Sequence, residues 1–208
     1  MFWHLVTRLG EMQIVLPAAL LASWPAFRRP ETRSFAWRWL GALALAIALT
    51  TATKLAFIGW GLGISAINFT GISGHAMMAA SVYPVLLALL ASKWSKNIQW
   101  MAFFCGVALA ILVGYSRLQV HAHSASEVIA GLVLGAAVCA ACVWRQPLPQ
   151  QATGPVVQCL VLAWMLLTPI HTPQAKTHQL VTRLSLALAG HDTPHTRADL
   201  LRRASHAP

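Results

Sequence analysis

Six apolar stretches constrain the fold of this chain more than any other feature of its sequence. They cover residues 12–27, 36–53, 76–92, 98–115, 127–144 and 156–170. A helix needs roughly 20 apolar residues to cross a hydrocarbon core of about 30 Å, and the flanking residues extend most of these stretches to that length. Because the backbone must satisfy its own hydrogen bonds inside a bilayer, spanning segments of this kind are helices. The pattern predicts an all-α, polytopic membrane helix bundle with about six transmembrane helices.

The composition supports the membrane class. Hydrophobic residues make up 57% of the chain and charged residues only 10%, whereas roughly a quarter of a soluble domain is charged. The net charge is +10, but the basic residues separate the apolar stretches and form no dense patch with aromatics. They are typical of topology determinants and lipid-headgroup contacts, so we expect membrane lipids as partners and no nucleic acid. All four cysteines lie in apolar segments, which indicates packing residues and no disulfide framework.

The loops between the stretches alternate in charge, and this alternation predicts the topology. The first, third and fifth loops carry the basic residues Arg28, Arg29, Arg33, Arg38, Lys93, Lys96 and Arg145. Because an excess of Lys and Arg marks cytoplasmic loops, the second loop (54–75) and the fourth loop (116–126) face the opposite compartment. We expect an integral protein of the cytoplasmic (inner) membrane, with these two loops on its extracytoplasmic side.

The chain divides at about residue 170. Residues 1–170 form the membrane-embedded domain, and residues 171–208 form a polar tail that is partly amphipathic or disordered. The tail holds five of the nine histidines and an amphipathic stretch from Leu180 to Leu188. Six crossings place the tail beside the second and fourth loops, whereas its basic excess favours the cytoplasmic side. The sequence leaves its side open.

The second loop is rich in glycine, contains one cation, Lys54, and ends in Ser73-Gly74-His75 just before an apolar helix. Free N–H groups and the positive end of the dipole make a helix N-terminus attractive to anions. Lys54 adds a full charge at the same depth. An interfacial linker with a snorkelling lysine and a helix cap at Ser73 explains the same residues. The loop by itself favours neither interpretation.

The fourth loop places Arg117, His121, His123 and Glu127 within a short span. Glu127 follows His123 by about one helical turn, so its carboxylate can accept a proton from one imidazole nitrogen and make the other more basic. Ser124 and Glu127 also have the spacing of a capping box, in which the glutamate only satisfies the helix start. We favour the histidine partner. Two histidines and one carboxylate from one loop are few ligands for a metal, so we predict no metal and no cofactor.

Together, the two loops resemble those of the type-2 phosphatidic acid phosphatase superfamily of membrane phosphatases. That family carries three motifs, K-x₆-R-P, P-S-G-H and S-R-x₅-H-x₃-D, and the resemblance extends from about residue 54 to 135. The matching residues are Lys54 for the first motif, Ser73, Gly74 and His75 for the second, and Ser116, Arg117, His123 and Glu127 for the third.

The chain departs from the family pattern at four positions. Gly61 and Leu62 stand where the first motif has Arg-Pro, so one phosphate-binding guanidinium is missing. Ile72 replaces the proline of the second motif. Glu127 replaces the aspartate of the third, which keeps the charge and lengthens the side chain by one methylene.

The resemblance implies a metal-independent lipid phosphate phosphatase whose domain spans residues 1–170. It would hydrolyse lipid phosphate monoesters or pyrophosphates at the extracytoplasmic membrane face through a phosphohistidine intermediate. In this family pattern His123 is the nucleophile, Glu127 orients it, and His75 is the acid and base. The implied phosphate-binding residues are Lys54, Ser73, Gly74 and Arg117.

Two other functions remain open from the sequence. A phosphotransferase would use the same residues and pass the phosphoryl group to an acceptor other than water. A non-catalytic lipid-binding or transport protein could keep the fold after losing the function of the missing arginine, and Gly61 is the residue that supports this alternative.

Overall fold

A computed structural model describes residues 2–144, 148–150, 152–171 and 177–205. Arg145, one of the cations used to predict the topology, lies outside these residues. Within the described residues the chain forms nine α-helices and one short 3-10 turn, Ser65–Ile67, which confirms the all-α prediction. The helices are α1 Phe2–Arg8, α2 Met12–Phe27, α3 Pro30–Trp60, α4 Gly74–Leu90, α5 Lys96–Gln119, α6 Ala125–Val143, α7 Pro155–His171, α8 Thr177–Ala189 and α9 Arg197–Ser205.

Each of the six predicted apolar stretches corresponds to one helix, α2 to α7, and extends at most two residues past the end of that helix. Three of these helices, α3, α5 and α6, are long and apolar enough to cross a membrane. α1 and α2 meet at a 43° bend and together form a fourth candidate span. α4 and α7 are apolar but shorter. The described residues therefore contain three to four candidate spans of an integral membrane protein, whereas the predicted number was about six.

α4 is the central helix of the bundle. Of its 17 residues 13 are buried, and it packs against α2, α3, α5 and α6. Because it is apolar on every side, it packs most of its surface against other helices. Two hydrogen bonds, the first buried and the second partly buried, fix it: the Trp39 indole N–H donates to the Ser81 carbonyl at 3.0 Å, and the Tyr83 hydroxyl donates to the Leu9 carbonyl at 2.6 Å.

Glycines allow α5 and α6 to approach α4 at backbone distance. A Cβ at Gly106 on α5 would lie 2.5 Å from the Tyr83 carbonyl oxygen. On α6, a Cβ at Gly131 would lie 2.6 Å from the Ser73 carbonyl oxygen. Small residues serve this purpose at helix contacts in membranes. As a result, the start of α6 lies directly against the start of α4, where the second and third motifs are located.

The C-terminal helices pack on the end of α3. The Ser185 hydroxyl of α8 donates to the Leu55 carbonyl at 2.8 Å, and the His195 amide donates to the Ile58 carbonyl at 3.0 Å. The predicted amphipathic stretch lies within α8. The division of the chain at residue 170 stays a prediction, and residues 172–176 and 206–208 of the predicted tail lie outside the described residues.

Candidate functional site

The second and fourth loops meet at one end of the bundle. The Ser73 amide donates to the Glu127 carbonyl at 3.1 Å, so the starts of α4 and α6 are joined by their backbones. The Thr70 amide and hydroxyl both donate to Glu127 Oε1, at 2.7 and 2.5 Å. The Ser126 hydroxyl donates to the Ile67 carbonyl at 2.8 Å. These contacts bring the two loops together, as their shared side in the predicted topology requires.

The Glu127 carboxylate serves both of the roles that the sequence left open. His123 Nδ1 lies 2.7 Å from Glu127 Oε2, so the imidazole donates to the carboxylate when its proton is on Nδ1. The Ser124 amide donates to the same oxygen at 3.1 Å, and the Glu127 amide donates to the Ser124 hydroxyl, which completes a capping box. The histidine pair and the cap are therefore compatible. The proton on Nδ1 leaves the His123 Nε2 lone pair free.

A cation that the motifs do not contain also binds this carboxylate. Arg197, the first residue of α9, places Nη2 at 2.9 Å from both Glu127 oxygens. Its Nη1 donates to the carbonyl and the side-chain oxygen of Asn68, at 3.0 and 2.7 Å. Arg197 belongs to no motif, so the sequence did not predict it as a site residue. The only signal in the sequence was indirect. Gly61 stands where the first motif has an arginine, and no other position was predicted to supply a cation in its place.

Lys54 points toward the first turn of α4. Its Nζ lies 3.7 Å from the position that a Cβ on Gly74 would occupy. Lys54 forms no hydrogen bond or ion pair with any described residue. Ser73 is buried at the N-cap position of α4, but its side chain accepts no capping hydrogen bond, and its Oγ has no partner in the described part of the chain. The structure thus does not show the Ser73 cap that was the alternative to an anion site.

Arg117 and His75 approach the same region from α5 and α4. Arg117 Nη1 donates to the Thr7 hydroxyl at 2.5 Å, while its buried Nε finds no acceptor among the residues described. A Cβ on Gly10 would come within 2.8 Å of the His75 Cβ, so the bend between α1 and α2 covers His75. Lys54, Arg117 and His123 all lie close enough to His75 to interact with it electrostatically.

The protonation state of His123 follows from its surroundings. Burial lowers the pKa of His123 below the ordinary histidine value. The hydrogen bond to Glu127 opposes this effect, and the charges of Lys54 and Arg117 add to it. Because the net direction is downward, the imidazole is neutral at neutral pH and its Nε2 lone pair is available to an electrophile.

The arrangement is suited to an anion. Buried polar groups in folded proteins almost always have partners, yet the Thr50 hydroxyl, the Ser73 hydroxyl and Arg117 Nε have none in the part of the chain that is described. All three can donate a hydrogen bond, as can the neighbouring Lys54, which pairs with no residue in the described ranges. The structure brings together all seven predicted site residues, which are His123, His75, Glu127, Lys54, Ser73, Gly74 and Arg117.

His121 does not join this cluster. It is exposed in the turn before α6, with a φ of 52°. Among the described residues there is no group of three or more His, Cys, Asp or Glu side chains that could hold a metal ion. The absence of a metal requirement stays a prediction.

Comparison with known proteins identifies the family. The sequence profile of the PAP2 superfamily matches residues 12–150. The chain is 39% identical over 210 residues to the "Uncharacterized 22.5 kDa protein in cps region" of Klebsiella pneumoniae, covering 98% of this chain and 100% of that protein. It is 38% identical over 71 residues to "Phosphatidylglycerophosphatase B" of Bacillus subtilis (strain 168), covering 33% of this chain and 34% of that one. No solved structure is significantly similar to the chain. The chain therefore belongs to the PAP2 superfamily.

Proposed function

We propose that the protein is a metal-independent membrane phosphatase that hydrolyses lipid phosphate monoesters or pyrophosphates. The observation that carries this proposal is the His123–Glu127 pair, 2.7 Å apart, with its carboxylate fully buried, beside a cluster of donors that lack partners among the described residues. A neutral imidazole next to Lys54 and Arg117 can attack an anionic phosphorus centre, because the two cations offset the charge that would otherwise repel the nucleophile. Membership of the PAP2 superfamily and the partial match to a phosphatidylglycerophosphatase support the same reaction.

The first step forms a phosphohistidine. His123 Nε2 attacks phosphorus, the bond from phosphorus to the leaving oxygen breaks, and His75 donates a proton to that oxygen. The attacking imidazole gains positive charge, which the Glu127 carboxylate stabilises through the Nδ1 proton. The negative charge of the bound phosphate favours the protonated form of His75 that this step requires.

The second step releases phosphate. His75, now neutral, takes a proton from water as the water oxygen attacks phosphorus and the N–P bond breaks. His123 then returns to its neutral form. Lys54, Arg117 and the first turn of α4 at Ser73 and Gly74 bind the phosphoryl oxygens and stabilise the charge that develops on them.

A lipid substrate fits the location of the site at one end of the bundle. There the headgroup can enter the cluster of cations while its hydrocarbon chains stay in the bilayer. We further propose six crossings, with the site on the extracytoplasmic face. Two arguments support this topology: the basic residues concentrate in the alternate loops, and α4 is surrounded by other helices, so its length need not match the bilayer as that of a lipid-exposed helix must.

The test is release of phosphate by the purified protein in detergent, from a panel of lipid phosphates and pyrophosphates, with EDTA present. His123→Asn removes the nucleophile, and we expect release to fall to background. His121→Asn is the matched control: it makes the same substitution two residues away at an exposed position, and asparagine tolerates positive φ. We expect it to retain activity.

Two outcomes would overturn the proposed function: equal release from wild type and His123→Asn, or no release by wild type from any substrate. Adding an alcohol acceptor to the same assay distinguishes hydrolysis from phosphoryl transfer. A substrate labelled with ³²P should leave an acid-labile label on the wild-type protein after a rapid quench, and none on His123→Asn.

A further inference from the structure

The negative charge of Glu127 is balanced by a residue that lies outside the second and fourth loops. The carboxylate is fully buried and accepts hydrogen bonds from His123, Ser124, Thr70 and Arg197. Of these donors, only Arg197 carries a permanent positive charge. A buried carboxylate is costly unless a charge is paired with it. Arg197 is therefore the group that offsets the Glu127 charge while His123 is neutral.

Both the side chain and the backbone of Arg197 are held in place by hydrogen bonds. Its guanidinium spans Glu127 and Asn68, so it ties the carboxylate to the second loop. On the backbone side, Thr196 caps α9 together with Asp199, whose carboxylate accepts from the Thr196 amide and hydroxyl at 2.9 and 2.6 Å. The residue before, His195, is bonded through its amide to α3. This ordering lowers the entropic cost of presenting one arginine at one site.

Gly61, at the end of α3, lies against the same C-terminal segment, residues 195–203. Gly61 ends α3 with a φ of 68°, a conformation that favours glycine. A Cβ there would lie 3.1 Å from Arg203 Nη1 and 3.3 Å from His195 Cγ. To admit a Cβ, the Arg203 and His195 side chains would have to shift by a few tenths of an ångström, so glycine at this position allows the C-terminal segment to pack closely on the end of α3. The C-terminal segment therefore packs against the end of the bundle that holds the site.

We propose that Arg197 is a positioning residue that neutralises Glu127 and thereby keeps His123 unprotonated for attack on phosphorus, an inference that rests on the proposed function. Without Arg197, an unbalanced buried carboxylate would draw a proton onto the neighbouring imidazole. The imidazolium has no free lone pair on Nε2 and cannot act as a nucleophile.

The other ionisable groups that face the pair cannot replace Arg197 during the reaction. They are Lys54 from α3, His75 from α4 and Arg117 from α5. In the free protein the Lys54 and Arg117 charges also oppose protonation of His123. Once an anionic phosphate binds, its charge offsets theirs. Arg197 contacts Glu127 directly at 2.9 Å, so its effect on the carboxylate persists in the complex.

The test compares pH profiles of kcat for three variants of the full-length protein. Arg197→Gln removes the charge, Arg197→Lys keeps it, and Arg202→Gln is a matched control on the same helix, where Arg202 is 71% exposed and paired with Asp199. We expect the acid limb of Arg197→Gln to move to higher pH by about one unit. Its activity should fall up to about tenfold at acid pH and recover at alkaline pH. Arg197→Lys and Arg202→Gln should follow wild type.

A merely structural role for Arg197 predicts a different result. It would lower kcat equally at every pH and leave the acid limb in place, and that outcome would overturn the proposal, as would a wild-type profile for Arg197→Gln. If Arg197→Gln does not fold, Arg197→Met provides a second uncharged side chain of similar length.

A second measurement does not depend on activity. Nitrogen NMR of protein labelled at histidine follows the titration of His123, assigned by loss of its signal in His123→Asn. We expect the midpoint to be higher in Arg197→Gln than in wild type, and an unmoved midpoint would refute the charge balance. If wild type hydrolyses no lipid phosphate, the proposed function fails, and this titration still decides whether Arg197 controls His123.

Discussion

Substituting Gly131 with alanine tests how closely catalysis depends on the contact between α4 and α6. Gly131 is buried on α6, one turn after Glu127. An added Cβ would lie 2.6 Å from the Ser73 carbonyl oxygen and 3.1 Å from both the Met77 amide nitrogen and the Ala76 Cβ. All three neighbours belong to the first turns of α4 or its cap. The methyl group must therefore push apart the two helix starts that carry the predicted catalytic residues.

The size of the effect follows from these distances. The contact with the Ser73 oxygen must lengthen from 2.6 Å to an ordinary 3.4 Å, a separation of about 0.8 Å. Overpacking a core costs about 1–3 kcal/mol, while alanine in place of glycine favours a helix by about 1 kcal/mol. The net loss of stability is only about 0–2 kcal/mol. Catalysis should suffer more, because a misplacement of about 1 Å can cost about 100-fold in rate.

The assay measures phosphate release and thermal unfolding of Gly131→Ala in the same detergent. We expect turnover to fall about 10- to 100-fold while most of the protein remains folded at the assay temperature. Gly41→Ala is the matched control, since a Cβ at Gly41 meets nothing within 4 Å, and it should keep full activity with equal or higher stability. Wild-type turnover in Gly131→Ala would refute the reasoning, because it would mean that the helix starts can separate without effect on the site.

Three further outcomes are expected. Because burial lowers the pKa of His123, the acid limb of kcat/KM, where the nucleophile becomes protonated, should lie below about pH 6.5. An acid limb clearly above that value would contradict the neutral nucleophile. Glu127→Gln should lower turnover by about 100-fold or more, because the neutral amide stabilises the developing imidazolium poorly, and turnover within a fewfold of wild type would exclude this role. Tyr83→Phe should cost about 1 kcal/mol of stability by removing the partly buried hydrogen bond to the Leu9 carbonyl, with turnover unchanged in the folded fraction. Unaltered thermal unfolding would show that the hydrogen bond contributes little.

The count of membrane spans shows one limit of sequence reasoning. All six apolar stretches were found as helices, but only three to four candidate spans meet the length and composition expected of a crossing in the described residues. Hydropathy measures how apolar a segment is, whereas α4 owes its apolar character to burial among other helices. A segment surrounded by protein and a segment facing lipid have the same composition, and only the packing distinguishes them.

The sequence by itself determined the parts of the site that lie within a few residues of one another. Three features follow from the geometry of one helical turn, so the local sequence is enough to predict them. They are the spacing of His123 and Glu127, the capping box at Ser124, and the position of Ser73-Gly74-His75 before α4. The meeting of the second and fourth loops was predicted because alternate loops lie on the same side of the membrane, and because the chain resembles a known family.

Only the tertiary structure decided which distant groups complete the site. Arg197 reaches Glu127 across 70 residues of sequence, and Thr70 across 57. Neither contact belongs to a periodic pattern or a motif. The Arg197 contact depends on how α8 and α9 pack on the end of α3, and the Thr70 contact depends on how the second loop meets the start of α6. The sequence could not even choose the side of the membrane for this segment. A buried carboxylate requires a compensating charge, and the fold determines which residue provides it.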